Sequence, residues 1–213
     1  METASGIKNI LFDLGGVLLD LDFLAPVTAF RKLGLADDQP DYRNAISDPV
    51  FLGFEQGNIS PEAFRDRIRE ILGNPNLTDA EIDTAWCSML GSVPAEKTEL
   101  LKKLAPRYRL FLYSNTNVIH IGYFKRRFEI EHGLPFEPLF EKTFYSHEIH
   151  DRKPRASGFE KVVAQACIHP GETLFVDDIV QNIDAAREFG FQVYHYVPGS
   201  ELSFLNLLPE NET

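Results

Sequence analysis

The stretch Ile7-Lys8-Asn9-Ile10-Leu11-Phe12-Asp13-Leu14-Gly15-Gly16-Val17-Leu18-Leu19-Asp20 carries the strongest signal for the fold of this chain. Its apolar run before Asp13 is typical of a strand that is buried on both faces of a parallel sheet. The two glycines after the acid let the backbone turn sharply and let a ligand approach it closely. Open α/β sheets bind their ligands at the carboxyl ends of the strands, so Asp13 is a candidate nucleophile or metal ligand. From this stretch alone, an acid that only caps a turn explains the pattern equally well.

The composition sets limits on the classes of protein and partner. The chain has 213 residues, of which 44% are hydrophobic and 25% charged, as expected for one soluble domain or a core with a modest insertion. Its formal net charge of −11 argues against nucleic acid or an anionic membrane as a partner. A small phosphorylated metabolite is compatible with this charge, because a metal ion and backbone N–H groups can hold a phosphate. The sequence gives no indication of the oligomeric state.

Three further features concern the cellular compartment. Cys87 and Cys167 lie far apart in apolar helical patterns, which predicts buried thiols in a reducing compartment. Met1 to Gly6 shows no basic, apolar leader, and no stretch approaches the roughly 18 apolar residues that span a bilayer. We therefore expect a cytoplasmic protein.

Strands and helices alternate from Pro94 onward. Predicted strands begin at Tyr108, Thr143, Leu174 and Phe191, with amphipathic helical patterns between them. This alternation is typical of an α/β fold with a doubly wound parallel sheet and right-handed crossovers. A short helix is expected after Pro198.

Residues 21–93 contain helical patterns and no strand pattern. Ser60 and Pro61 suit the N-cap and first position of one helix, and Thr78-Asp79-Ala80-Glu81 is a capping box that begins another. We therefore predict that residues 1–20 and 94–213 form the α/β core, and that residues 21–93 form an inserted all-helical cap.

Polar side chains follow three of the predicted strands, and a lysine lies in a fourth segment. Because the carboxyl ends of parallel strands share one edge of the sheet, these groups can converge in one crevice. Two carboxylates can hold Mg²⁺, and a serine with nearby backbone N–H groups can bind phosphate at a helix N-terminus. A lysine adds the positive charge that phosphoryl transfer needs. The residues are Asp13, Ser114, Asn115, Lys153, Asp177 and Asp178.

Four segments resemble, in order, the motifs of the haloacid dehalogenase-like (HAD) hydrolase superfamily. They are Phe12-Asp13-Leu14-Gly15-Gly16-Val17, Tyr113-Ser114-Asn115-Thr116, Arg152-Lys153-Pro154 and Phe175-Val176-Asp177-Asp178-Ile179-Val180-Gln181-Asn182. The helical insertion is similar to the C1 cap of the subfamily with phosphoglycolate phosphatase and β-phosphoglucomutase. The first two motifs most resemble the bacterial α-D-glucose-1-phosphate phosphatase branch. The resemblance covers nearly the whole chain and implies a Rossmann-like core.

The resemblance also implies a role for each matching residue and a Mg²⁺-dependent phosphatase acting on a small phosphomonoester, a sugar phosphate above all. Asp13 would be the nucleophile that forms an aspartyl-phosphate. Asp13, the Gly15 carbonyl and Asp178 would bind Mg²⁺. The remaining roles are phosphate binding by Ser114 and Asn115, contact of Lys153 with Asp13 and the transferring group, and orientation of the metal ligands by Asp177 and Asn182.

One position departs from the family pattern. Most phosphatases of this superfamily carry a second aspartate two residues after the nucleophile as general acid and base, and here that residue is Gly15. General acid–base catalysis typically contributes about 10²–10⁴-fold. Three alternatives follow: another group or water moves the proton, the protein is a metal-independent 2-haloacid dehalogenase, or it is a catalytically weak protein that binds a phosphorylated ligand or a partner. A sugar 1-phosphate would suit the first, since its anomeric oxygen is a good leaving group. Repulsion between Asp177, Asp178 and Asp13 without a cation argues against the second.

Several residues have simpler interpretations. His120, His147 and His150 are candidates for the missing proton transfer, although a loop histidine is more often only solvated. For Glu55-Gln56-Gly57 the preferred interpretation is a turn, and the second is a loop that determines substrate specificity. Four apolar residues are expected in the cap core, with a place in the lining of the crevice as the alternative for some of them. Two acids near the entry to the cap are expected to shape that hinge without touching substrate. The apolar residues are Phe51, Phe54, Trp86 and Met89, and the acids are Asp20 and Asp22.

Overall fold

The computed structural model describes residues 6–35 and 49–200 and shows one five-stranded sheet. The strands are β1 (Asn9–Phe12), β2 (Arg109–Ser114), β3 (Lys142–Tyr145), β4 (Thr173–Asp177) and β5 (Gln192–His195). They are all parallel, in the order β3-β2-β1-β4-β5. The predicted doubly wound α/β fold is confirmed.

The apolar run of the opening stretch forms the central strand. All four residues of β1 are buried, as the continuous apolar run predicts. Phe12 pairs with Leu112 of β2 and with Val176 of β4, so the residues that follow these positions reach the same edge of the sheet. This register brings Asp13, Ser114 and Asp177 together although they are far apart in the chain.

Helices pack on both faces of the sheet. The helices of the core are α5 (Ala95–Leu104), α6 (Val118–His132), α7 (Ser146–Ile149), α8 (Ala156–Ala166) and α9 (Val180–Phe189). One face of the sheet packs against α5 and α6 through Leu101, Phe124 and Phe128, which are almost fully buried. The opposite face packs against α8 and α9 through Phe159 and Ile183. The sheet therefore lies between two helical layers, as the apolar strands require.

Between β1 and α5 the described residues form four helices and no strand. They are α1 (Ala25–Lys32), α2 (Pro49–Glu55), α3 (Pro61–Leu72) and α4 (Asp79–Cys87). The Ser60 side chain accepts a hydrogen bond from the Ala63 N–H, and the Thr78–Glu81 capping box has both of its bonds, as predicted.

These four helices bury an apolar cluster of their own. Phe51, Phe54 and Trp86 belong to it and surround the fully buried Phe64, whose ring stacks on that of Phe54. Met89 instead packs with the core of the sheet and lines the crevice at its carboxyl edge, so its placement in the cap core is wrong and the second interpretation, a residue of the crevice, holds. A separate cluster agrees with an inserted helical cap, whose limits of 21 and 93 remain a prediction.

One of the two cysteines differs from expectation, since Cys87 is buried as predicted and Cys167 is not. Cys87 is buried at the end of α4, and burial raises the pKa of its thiol to about 12. Cys167 is exposed and caps the C-terminal end of α8 in a left-handed conformation. The predicted helix after Pro198 lies almost wholly outside the described residues. None of the described helices is long and apolar enough to cross a membrane.

Candidate active site

A cavity of about 200 Å³ opens at the carboxyl edge of the sheet. It collects residues from the loops after β1, β2 and β4 and from the segment before α8. The residues that the sequence predicts for the active site line this cavity, with the exception of Asp177. They are Asp13, Gly15, Ser114, Asn115, Lys153, Asp178 and Asn182. The convergence that the strand order predicts is therefore present.

Lys153 is the buried positive charge of the cavity. Its side chain is 1% exposed, and Nζ donates to Asp13 Oδ1 at 2.6 Å and to Asp177 Oδ2 at 2.7 Å. Burial alone would lower the pKa of Lys153, but the charges of Asp13 and Asp177 outweigh it and hold the pKa above its ordinary value. Lys153 therefore stays protonated at neutral pH.

Asn115 fixes the backbone of Lys153. Its amide Nδ2 donates to the Lys153 carbonyl and its Oδ1 accepts from the Lys153 N–H, both at 3.0 Å. Because the side chain is used in this clamp, a contact of Asn115 with phosphate would come from its backbone. The clamp explains how a lysine in a loop reaches a defined position.

The adjacent acids Asp177 and Asp178 have different surroundings. Asp177 is fully buried and accepts hydrogen bonds from Lys153, the Asn182 side chain and the Ile179 N–H. Asp178 Oδ1 is buried and has no hydrogen-bond partner. Asp177 is therefore saturated with donors, whereas Asp178 retains a free ligand oxygen directed away from solvent.

The three aspartates fit a divalent cation. One carboxylate oxygen from each of Asp13, Asp177 and Asp178 lies within 4.8 Å of the others. Burial raises the pKa of Asp13 to about 7, and the charges of Asp177 and Asp178 add to this while Lys153 opposes it. Three crowded acids with one lysine and one unpartnered oxygen form an all-oxygen donor set, which is the type that Mg²⁺ prefers.

The glycines after Asp13 make room for this arrangement. Gly16 has φ +78°, and a Cβ atom there would lie 2.2 Å from Asp178 Oδ2. A Cβ atom at Gly15 would lie 2.7 Å from Leu21 Cδ1, so Leu21 fills part of the place that a second aspartate would need. Gly15 lines the cavity, and its carbonyl as a metal ligand remains a prediction.

In the segment after β2, some of the backbone N–H groups that were expected to bind phosphate already donate hydrogen bonds to other residues. Ser114 is buried and lines the cavity. The Thr116 N–H already donates to Ser146 Oγ at 2.8 Å, and the His120 N–H donates to Asn117 Oδ1, which caps α6. These two groups are therefore not available, and phosphate binding in this segment would depend on Ser114 and Asn115.

His120 is neither in a loop nor solvated, because it lies in the first turn of α6 and stacks on the Trp86 ring. Its Nε2 lies 3.1 Å from the Trp86 carbonyl and its Nδ1 lies 3.2 Å from Asn117 Nδ2. This pattern suits a neutral ring that donates from Nε2 and accepts at Nδ1. Burial lowers the pKa of His120 to about 4.

This burial predicts a pH dependence of stability. In the unfolded chain the ring binds a proton near the ordinary histidine pKa of 6.5, but in the folded protein only near 4. As the pH falls from 6.5 to about 4, the ring binds a proton in the unfolded chain but not in the folded protein. The free energy of unfolding should therefore decrease by about 3 kcal/mol. Urea unfolding of the wild type and of His120→Leu across this range should show a shallower loss for the variant. Parallel profiles would contradict the prediction.

Two charged residues of the cavity were not predicted as site residues. Glu55 ends α2, and Arg152 directly precedes Lys153; both line the cavity. The sequence indicates Arg152 only as part of a motif, and Glu55 as part of a turn whose second interpretation is a specificity loop. Their pairing joins residues 97 positions apart in the sequence, so no local pattern signals it.

Known proteins resemble the chain over most of its length. The model of a family described as haloacid dehalogenase-like hydrolase matches residues 7–190. A D-ribitol-5-phosphate phosphatase of Bacteroides thetaiotaomicron is 32% identical over 195 residues, which cover 92% of this chain and 94% of that protein.

Two solved structures are also similar. A HAD family enzyme of Bacteroides thetaiotaomicron, in complex with magnesium and inorganic phosphate, is 39% identical with a TM-score of 0.87, over 94% of this chain and 99% of its own. A HAD-like hydrolase of Porphyromonas gingivalis is 32% identical with the same TM-score, over 97% and 100% of the two chains.

Proposed function

The chain belongs to the haloacid dehalogenase-like hydrolase family, and within that family we propose that it is a Mg²⁺-dependent phosphatase of small phosphomonoesters. Asp13 beside Lys153, in one cavity with the unpartnered oxygen of Asp178, is the observation that carries the proposal. Relatives named as a D-ribitol-5-phosphate phosphatase and solved with magnesium and phosphate support it. A sugar or polyol phosphate is the proposed substrate class, because a cavity of about 200 Å³ suits a small molecule.

Asp13 is the proposed nucleophile. One of its carboxylate oxygens attacks phosphorus, an aspartyl O–P bond forms, and the bond from phosphorus to the leaving oxygen breaks. Lys153 orients Asp13 through the 2.6 Å bond and places its charge beside the transferring group. Bound Mg²⁺ would be held by Asp13, Asp178 and the Gly15 carbonyl, and would neutralise phosphoryl oxygens.

The second half of the reaction restores the enzyme. A water attacks phosphorus of the aspartyl-phosphate, the aspartyl O–P bond breaks, and inorganic phosphate leaves while Asp13 returns as a carboxylate. The proton that the attacking water loses passes to water in the cavity and replaces the proton that the leaving oxygen takes in the first step. The leaving oxygen of the first step takes its proton from water in the cavity, since Gly15 provides no acid. Asp177 holds Lys153 in place during both steps, and Asn182 in turn holds Asp177. The helices of residues 21–93 would close over the cavity as a cap and exclude bulk water.

This proposal predicts metal-dependent release of phosphate. The purified protein should hydrolyse para-nitrophenyl phosphate with Mg²⁺, lose that activity in excess EDTA and regain it when Mg²⁺ is restored. A panel of sugar and polyol phosphates should contain better substrates than the aryl ester. If no member of the panel is hydrolysed, a protein that binds a phosphorylated ligand or a partner replaces the phosphatase. Halide release from a 2-haloacid without metal would support the dehalogenase alternative instead.

A further inference from the structure

The Glu55–Arg152 pair is a charged contact in the cavity that the proposed mechanism does not use. Arg152 Nη2 lies 3.4 Å from Glu55 Oε2, and each side chain is 23% exposed. Despite this proximity, Glu55 Oε2 and Arg152 Nε are both buried and make no hydrogen bond. Burial raises the pKa of Glu55, and the charge of Arg152 offsets this only in part. The pair therefore leaves one acceptor and one donor unsatisfied beside the place where substrate would bind.

Other contacts already hold the end of α2 against the core. Ser146 Oγ donates to the Glu55 carbonyl at 2.6 Å. The His150 ring lies with Nδ1 2.9 Å from the Gln56 carbonyl, and Gly57 has no side chain where a Cβ would lie 2.1 Å from the His147 carbonyl. The backbone thus fixes this junction without the Glu55 carboxylate. Burying a carboxylate oxygen without a hydrogen bond is costly even beside Arg152, so the place of Glu55 Oε2 in the cavity needs another explanation.

We propose that Glu55 and Arg152 determine substrate specificity by binding hydroxyl groups of the alcohol part of the phosphomonoester. A hydroxyl donates to the free Glu55 Oε2, and the same or a neighbouring hydroxyl accepts from the free Arg152 Nε–H. One hydroxyl can do both, because it is a donor and an acceptor at once. The pair thus selects polyol or sugar phosphates over esters with an apolar alcohol. This inference rests on the proposed phosphatase function and deepens it.

Two groups of residues in the cavity serve different ends of the proposed substrate. Lys153, Ser114 and the aspartates contact the phosphoryl end, which is common to all substrates. Glu55 and Arg152 contribute from α2 and from the residue before Lys153. An analogue that lacks the hydroxyls would leave Glu55 Oε2 and Arg152 Nε buried without a hydrogen bond, which is the condition under which a polar site rejects a ligand strongly.

Glu55→Gln tests the pair with little change of shape. We expect kcat/KM for the best polyol phosphate of the panel to fall about 10- to 100-fold, mainly through KM, because one charged hydrogen bond is weakened. Hydrolysis of para-nitrophenyl phosphate should fall much less, since the alcohol part of that ester has no hydroxyl to bind, so the ratio of the two kcat/KM values is the readout. Glu70→Gln, an exposed glutamate of α3, is the matched control and should leave both substrates unchanged.

Arg152→Lys is the second variant, since it keeps the positive charge but removes the buried Nε–H. It should also reduce kcat/KM for the polyol phosphate more than for the aryl ester. The free polyol should inhibit aryl phosphate hydrolysis by the wild type, and Glu55→Gln should weaken that inhibition without changing inhibition by inorganic phosphate. The inhibition of the wild type by the free polyol can be measured even if neither variant folds.

The outcomes separate the inference from the proposed function. A wild type that hydrolyses no phosphate ester with Mg²⁺ overturns the phosphatase and the inference with it. An active wild type whose Glu55→Gln variant loses both substrates equally assigns Glu55 to closure of the cap and overturns the inference alone. The same holds if the free polyol does not inhibit the wild type.

Discussion

Asp13→Asn is expected to reduce Mg²⁺-dependent phosphate release by about 10⁴- to 10⁶-fold, the range seen when a covalent nucleophile is removed. The amide has the shape of the carboxylate but cannot attack phosphorus. The variant should fold, because its amide oxygen can still accept the bond from Lys153 Nζ and one of three crowded negative charges is gone. Steady-state hydrolysis of para-nitrophenyl phosphate measures the loss, and thermal unfolding checks the fold.

The matched control for that variant is Asp184→Asn. Asp184 forms an exposed ion pair with Arg187 on α9, and pairs of this kind contribute little. Activity and unfolding should both stay at the wild-type level. If Asp13→Asn kept more than a few per cent of wild-type activity, the aspartyl-phosphate on Asp13 would have to be abandoned.

Lys153→Met is expected to affect both activity and stability. The methionine fills a similar volume but leaves Asp13 and Asp177 buried without their common partner. Removing one member of a buried ion pair typically costs about 3–5 kcal/mol. Activity should fall at least about 10³-fold, since the charge beside the transferring group is lost. Urea unfolding in EDTA measures the loss of stability. The same measurement with Mg²⁺ in excess over EDTA should show that the cation restores part of the lost stability.

Lys97→Met is the control for burial of a lysine. Lys97 is buried almost as fully, but its partner Asp20 is 63% exposed at 3.4 Å and lies outside the cavity. Its loss should cost about 1 kcal/mol or less and leave hydrolysis unchanged. Equal destabilisation by the two variants would mean that burial of a lysine, and not its pairing with the two acids, explains the effect.

The fold was predictable because its signals are local. The apolar run before Asp13 predicts a buried strand, and Ser60 and Thr78 predict the starts of two helices through bonds that span three residues. Once the strands alternate with helices, a parallel sheet places Asp13, Ser114 and Asp177 at one edge. The acids and lysine of the candidate site follow from that geometry, although their chemical roles remain proposals.

The sequence misled where tertiary contacts override local patterns. His120 and Cys167 both lie in or next to helical patterns, yet the first is buried under Trp86 and the second is exposed at a helix end. Met89 packs with the sheet although it follows a helix of the insertion. Burial depends on what packs against a residue, and a single sequence does not contain that information.

Residue type and periodicity act over short distances, so the amino-acid sequence was enough to predict the succession of strands and helices. It also predicted the edge of the sheet at which the acids lie, and it shows that no acid stands at Gly15. The folded chain was needed to see that Asp177 is saturated with donors while Asp178 keeps a free oxygen. It was also needed to find Glu55 beside Arg152. Such contacts cannot be read from local patterns, because hydrogen bonds and ion pairs depend on distances of a few tenths of an ångström between segments far apart in the chain.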